Sequence, residues 1–96
     1  MNKLFIDDRA IEFITKALAK ENSSAMRLFI SGGGCCKQIE ITPVNKALAG
    51  DVTSDQDGVR VHIEKQIADN ADSIEILFDE KKGLLIYFEK NQESLK

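Results

Sequence analysis

The residues best suited to chemistry in this 96-residue chain are its only two cysteines, Cys35 and Cys36, which are adjacent. They stand in the run Gly32-Gly33-Gly34-Cys35-Cys36-Lys37. Three successive glycines open backbone conformations closed to other residues and leave the amides uncovered. Amides facing one way form an anion-friendly concavity, which favours the thiolate of a nearby cysteine. Such a thiolate is a nucleophile and a ligand for soft metals. The run is not a phosphate-binding loop, because it lacks the Gly-Lys-Ser/Thr ending and leads into a strand. A buried, inert role is ordinary for one cysteine, but burying two neighbours behind three glycines is harder to arrange. A bond between them cannot be a structural staple. Adjacent Cα atoms lie about 3.8 Å apart, below the roughly 4.4–6.8 Å span of ordinary disulfides. In an extended chain the two side chains also point to opposite faces. Zinc and iron–sulphur sites usually take four ligands, so a metal here is expected between two copies of the chain.

The remaining candidates read as structural. His62 alternates with Val59, Val61 and Ile63 and so is expected on the outward face of a strand, as a surface histidine rather than a ligand. Asp7 and Asp8 suit the start of a helix. Asp51, Asp55 and Asp57 lack the spaced glutamate of a calcium loop. Tyr87 is expected in the core or at its rim. No Ser/His/Asp arrangement can be argued and no conventional catalytic base is present, which argues against a hydrolytic enzyme.

The elements that must position the cysteines follow from periodicity. Residues 4–6 form a short strand, and a helix capped by Asp7 carries Ala10, Ile14, Ala17 and Leu18 on one face, with Ile11 and Phe13 beside it. Glu21-Asn-Ser-Ser24 stops it. Residues 26–31 alternate as a strand into the glycine run, and residues 38–44 resume alternation after it, with Pro43 marking an edge or an end. Residues 45–56 are turn-rich, with a short helical turn expected over 46–48. Asp57-Gly58 is a tight turn into a strand over 59–64. A connector spans 66–72, with one turn of helix expected in it, and a hairpin joins strands 73–78 and 83–88 through Asp79-Glu-Lys-Lys82. The sum is an α+β fold: a compact β-rich domain over residues 1–91 with one main N-terminal helix and about six short strands. Residues 92–96 are a charged tail.

Bulk properties limit the partners. A net charge of −3 with no Lys/Arg cluster argues against nucleic acid. The acids at positions 7 and 8 occupy the place of a signal peptide's apolar stretch, and no run is long enough to cross a membrane. A cytoplasmic, reducing location is expected.

Several stretches, in order and spacing, resemble the HesB/IscA-like iron–sulphur biogenesis domain family over roughly residues 4–91. They are Ile6-Asp-Asp-Arg-Ala10, Met26-Arg-Leu-Phe-Ile-Ser-Gly-Gly-Gly-Cys35, Asp51-Val-Thr-Ser-Asp-Gln-Asp-Gly-Val-Arg-Val61, Ser73-Ile-Glu-Ile-Leu-Phe78 and Gly83-Leu-Leu-Ile-Tyr-Phe88. The resemblance implies a β-rich domain with one main helix packed on it. It also implies iron or an iron–sulphur cluster held between protomers by a loop cysteine and a later Cys-Gly-Cys pair. Cys35 matches the loop cysteine. Residues 92–96, Gln-Glu-Ser-Leu-Lys, contain no Cys-Gly-Cys pair, and Cys36 and Lys37 replace a small residue and a glycine.

Three functions follow. The first is metal or iron–sulphur binding by Cys35 and Cys36, supported by Gly32, Gly33 and Gly34, in a homodimer or higher homo-oligomer. The second is thiol redox, with one cysteine attacking and its neighbour resolving; a strained vicinal disulfide suits such a role. The third is a partner-binding module without chemistry. The first two also imply an iron–sulphur or redox partner protein.

Overall fold

The computed structural model describes residues 3–32 and 38–90. The expectations for Gly33, Gly34, Cys35, Cys36 and the 92–96 tail lie outside those residues. In chain order the elements are β1 (Lys3–Ile6), α1 (Asp8–Glu21), β2 (Ala25–Ser31), β3 (Gln38–Val44), β4 (Val52–Gln56), β5 (Val59–Ile63), α2 (Lys65–Asn70), β6 (Ala71–Asp79) and β7 (Gly83–Lys90). The strands form two mixed sheets, one ordered β1-β6-β7 and the other β3-β2-β5-β4.

Local chemistry sets the ends of α1. The Asp7 carboxylate accepts the Arg9 N–H at 3.4 Å, satisfying one of the first-turn donors that a helix leaves free. At the other end Asn22 takes the left-handed conformation (φ 55°, ψ 42°), and the Ser23 N–H returns to the Leu18 carbonyl at 2.9 Å. Ala10 and Ile14 are fully buried, and Ile11 and Leu18 pack against the same core. Phe13 instead meets Phe78, ring centroids 5.1 Å apart.

The core lies where α1 and the inner sheet faces meet. It contains Ile6, Met26, Leu28, Val59, Val61, Ile63, Ile74 and Ile76, all buried. Strand alternation supplies these side chains: Leu28 stands between Ile41 on β3 and Ile63 on β5, and Ile76 between Ile6 on β1 and Ile86 on β7.

Two turns fix the register of the neighbouring strands. Asp57 (φ 50°) and Gly58 (φ 84°) join β4 to β5 with the positive φ pair that matches hairpin twist. Between β6 and β7 the Asp79 carboxylate accepts the N–H groups of Lys81 (2.7 Å) and Lys82 (3.2 Å).

The structure differs from the sequence expectations in four places. Residues 52–56 form a seventh strand, β4, inside the segment expected to be turn-rich; its polar residues carry no hydrophobic alternation because it is a sheet edge. No helical turn forms at 46–48. A tight turn closes instead with the Asp51 N–H on the Leu48 carbonyl, its third residue Gly50 at φ 87°. The connector is the helix α2, which buries Ile67 and Ala68. Tyr87 is 53% exposed: it stands opposite Glu75 and beyond it Phe5, on the sheet face turned away from the core.

Candidate functional site

The strands β2 and β3 carry the cysteine segment between them. They pair antiparallel from Ala25↔Val44 to Ser31↔Gln38, so residues 32–37 connect a long hairpin. Gly32, the one described residue of the predicted loop support, leaves β2 at φ 79°, a conformation that favours glycine. The Ser31 hydroxyl and the Glu40 carboxylate hydrogen-bond across the hairpin.

Below that connection the outer face of the second sheet carries a row of polar side chains. The register sets Thr42, Arg27, His62 and Thr53 side by side on β3, β2, β5 and β4. Arg27 is held by Asp51 in a side-on fork, Nε to Oδ2 at 2.8 Å and Nη2 to Oδ1 at 3.0 Å. Both side chains are withdrawn from water, at 11% and 1% exposure. Two parallel charge-assisted bonds are the geometry in which a desolvated guanidinium–carboxylate pair is favourable. Asp51 also accepts the Leu48 N–H at 2.9 Å. The Arg27 hydrogen bond, chiefly, holds the Asp51 carboxyl below its ordinary pKa, against the opposing effect of burial. The same bond raises Arg27.

His62 is buried at 7% exposure, with Nδ1 2.8 Å from the Thr53 hydroxyl. Alternation does turn it outward, but Arg27 and Thr53 flank it on the neighbouring strands and its Nδ1 is engaged by the Thr53 hydroxyl. The expectation of a surface histidine is therefore corrected.

Glu64 completes the arrangement. Its Oε1 accepts the Ile30 N–H at 3.2 Å, and its Oε2 lies 3.8 Å from Arg27 Nη2. Sequence reasoning missed Glu64, Asp51 and the burial of Arg27. An arginine within a strand facing Phe29 signals a buried acidic partner, but its identity depends on which loop folds over that face. Among the described residues no group of three or more His, Cys, Asp or Glu side chains is placed to hold a metal ion. The thiols of the chain are those of Cys35 and Cys36 alone.

The family model described as iron-sulphur cluster biosynthesis matches residues 2–94. No curated protein matches the sequence. Among solved structures, the chain is similar to Escherichia coli SufA, described as involved in biosynthesis of iron-sulfur clusters: TM-score 0.73, 20% identity, covering 94% of this chain and 82% of that one. It is similar to IscA with the [2Fe-2S] cluster, at TM-score 0.65 and 14% identity, covering 91% and 84% of the two chains. An Aquifex aeolicus protein gives TM-score 0.65 and 21% identity, covering 95% and 97%. At these identities the structural likeness shows the fold.

Proposed function

Because this chain belongs to the iron–sulphur cluster biosynthesis family, we propose that it binds iron or an iron–sulphur cluster through Cys35 and Cys36, shared between copies. The observation that carries this reading is the hairpin: among the described residues strand pairing reaches Ser31↔Gln38, and both thiols belong in sequence to the stretch that joins these two strands. The donor chemistry fits, since thiolates are the usual ligands of iron–sulphur clusters. Two thiols per chain are half of a four-thiolate set, and a homodimer completes it. The relative that contains a [2Fe-2S] cluster shares the fold, and that likeness supports the choice of metal here. No helix among the described residues is long and apolar enough to cross a membrane. An iron–sulphur or redox protein is the partner that fits the thiol chemistry. The adjacency of the two thiols supports a second reading, a nucleophile and resolving pair in thiol redox.

Iron and sulphide analysis of protein reconstituted without oxygen tests the first reading. Cys35→Ser and Cys36→Ser are each expected to lose bound iron. Unchanged metal-to-protein ratios in both variants would refute the proposal. Both thiols titrating at or above about 8.5, the free-cysteine value, would count against the redox reading.

A further inference from the structure

Four strands stand at the edges of the two sheets: β1 and β7 in one, β3 and β4 in the other. An unpaired edge offers a row of free N–H and C=O groups to any other chain, and proteins blunt such edges with short strands, charges or proline. Three of the four follow that rule. β1 has four residues, β3 carries Pro43 and the exposed Gln38 and Glu40, and β4 has five residues, with Thr53 and Asp55 exposed. β7 does not. It runs for eight residues, and Leu84-Leu-Ile-Tyr-Phe88 within it contains no charge and no proline. Among the described residues nothing pairs with its free side. Tyr87 and Phe88 are 53% and 41% exposed. Successive residues of a strand point to opposite faces. Tyr87 shares the outer face with Phe5, across Glu75, whereas Phe88 shares the face of Leu84 and Ile86, which pack against the core. No surface laid on one face of the sheet covers both rings. A strand paired along the edge of β7 does, because it carries side chains on both faces.

We propose that this strand is β7 of a second copy, paired antiparallel about a two-fold axis so that the two sheets run on as one. β7 is self-complementary in that arrangement. The axis keeps the outer faces of both copies on the same side only when one residue meets its own counterpart, and the longest overlaps of this kind centre on Ile86 and on Tyr87. Centred on Ile86, each Tyr87 stands beside Leu85 of the other copy on the outer face, and each Phe88 beside Leu84 on the inner face. Apolar side chains directly opposite one another are the pairs that stabilise antiparallel strands. The exposed Glu89 of each copy then lies at the turn of the other that carries the exposed Lys81 and Lys82. Neither lysine makes an ion pair among the described residues. Centred on Tyr87, Leu85 would instead face Glu89, and a parallel pairing would set the two lysine turns together. The interface lies on the first sheet, apart from the β2–β3 hairpin, and does not rest on the metal reading.

The test uses the full chain, metal-free and under reducing conditions, with Tyr87→Lys, Phe88→Lys and Phe5→Lys beside the wild type. Sedimentation from micromolar to millimolar protein reads the oligomeric state, and amide exchange of β7 is followed by NMR. The wild type is expected to dimerise as its concentration rises, with exchange of β7 amides slowing in step. Tyr87→Lys and Phe88→Lys each place two charges in the paired strands and should weaken the dimer by about tenfold or more. Phe5→Lys changes a ring on the same outer face that is 51% exposed but belongs to β1, and should leave the dimer unchanged. A dimer lost in Phe5→Lys and Tyr87→Lys but kept in Phe88→Lys would mean packing face to face, and would overturn the inference. So would a wild type that stays monomeric throughout. Protection of β7 that does not depend on concentration would place a segment of the same chain on the edge, and would overturn it too. Should either β7 variant fail to fold, the other variant and the wild-type exchange decide. Because no metal is present, a chain that later binds no iron refutes the metal reading and leaves this one standing. A dimer that forms only when iron is added overturns this one.

Discussion

Arg27 and Asp51 show how a single pair of charges can set the local structure beside a site. Both are withdrawn from water, so each depends on the other to offset desolvation. Removing the acid leaves the guanidinium buried without its partner, and Asp51→Ala is expected to destabilise the protein by about 3 kcal/mol or more in denaturant titration. The pH dependence follows from the direction of the shift. Asp51 titrates lower in the folded chain than its ordinary value, so its contribution is complete above the ordinary carboxylate pKa, about 3.9, and is lost as pH falls through the lower folded value. The stability difference between wild type and Asp51→Asn should therefore be constant near neutrality and shrink below about pH 4. A difference that grows on acidification would contradict the assignment. At this scale the sequence was least legible. The outward turn of His62 could be read from alternation, but not its burial, because the flanking Arg27 and Thr53 are brought beside it only by strand pairing. Glu64 was invisible for the same reason: it meets Ile30 only once β5 lies beside β2.

The elements were far more legible, because local chemistry sets them. Asp7 before an apolar 3.6-residue pattern, and Glu21-Asn-Ser-Ser24 after it, bounded α1 within a residue or so of the observed helix. Asp7→Ala should cost about 1 kcal/mol of stability, the usual value of a lost N-cap, read as a lower denaturation midpoint at an unchanged slope. The hairpin over Asp79-Glu-Lys-Lys82 and the Asp57-Gly58 turn were readable from turn chemistry. β4 was not. Its residues, Val-Thr-Ser-Asp-Gln, carry no apolar alternation, and it is a strand because β5 offers it a free edge through a two-residue turn. α2 was readable as a helical turn within the connector, and the structure extends it over Lys65–Asn70. The hairpin of β2 and β3 could be inferred from two alternating runs around the glycines; its exact register, Ser31 opposite Gln38, is set by the pairing itself.

At the scale of the whole molecule, two sheets meet on one helix, and the core between them is aliphatic. Leu28 is fully buried at the middle of the second sheet, four residues before Gly32 opens the hairpin connection. Leu28→Ala is expected to cost about 2–5 kcal/mol by combining lost apolar burial with a residual cavity. Denaturant unfolding that shows less than 1 kcal/mol would mean that β2 does not anchor the core. The α+β class was readable because the count of short strands around one capped helix admits few layer arrangements, whereas the split into two mixed sheets depends on crossovers that no local pattern encodes. The family assignment rests on the whole span of the chain rather than on one motif. The role of the cysteines is the central claim, and it is decided most directly by the visible absorption spectrum of protein reconstituted with iron and sulphide in the absence of oxygen. A sulphide-dependent visible absorption that disappears in either Cys35→Ser or Cys36→Ser is the predicted result; a colourless protein with two free thiols and no bound iron would contradict it.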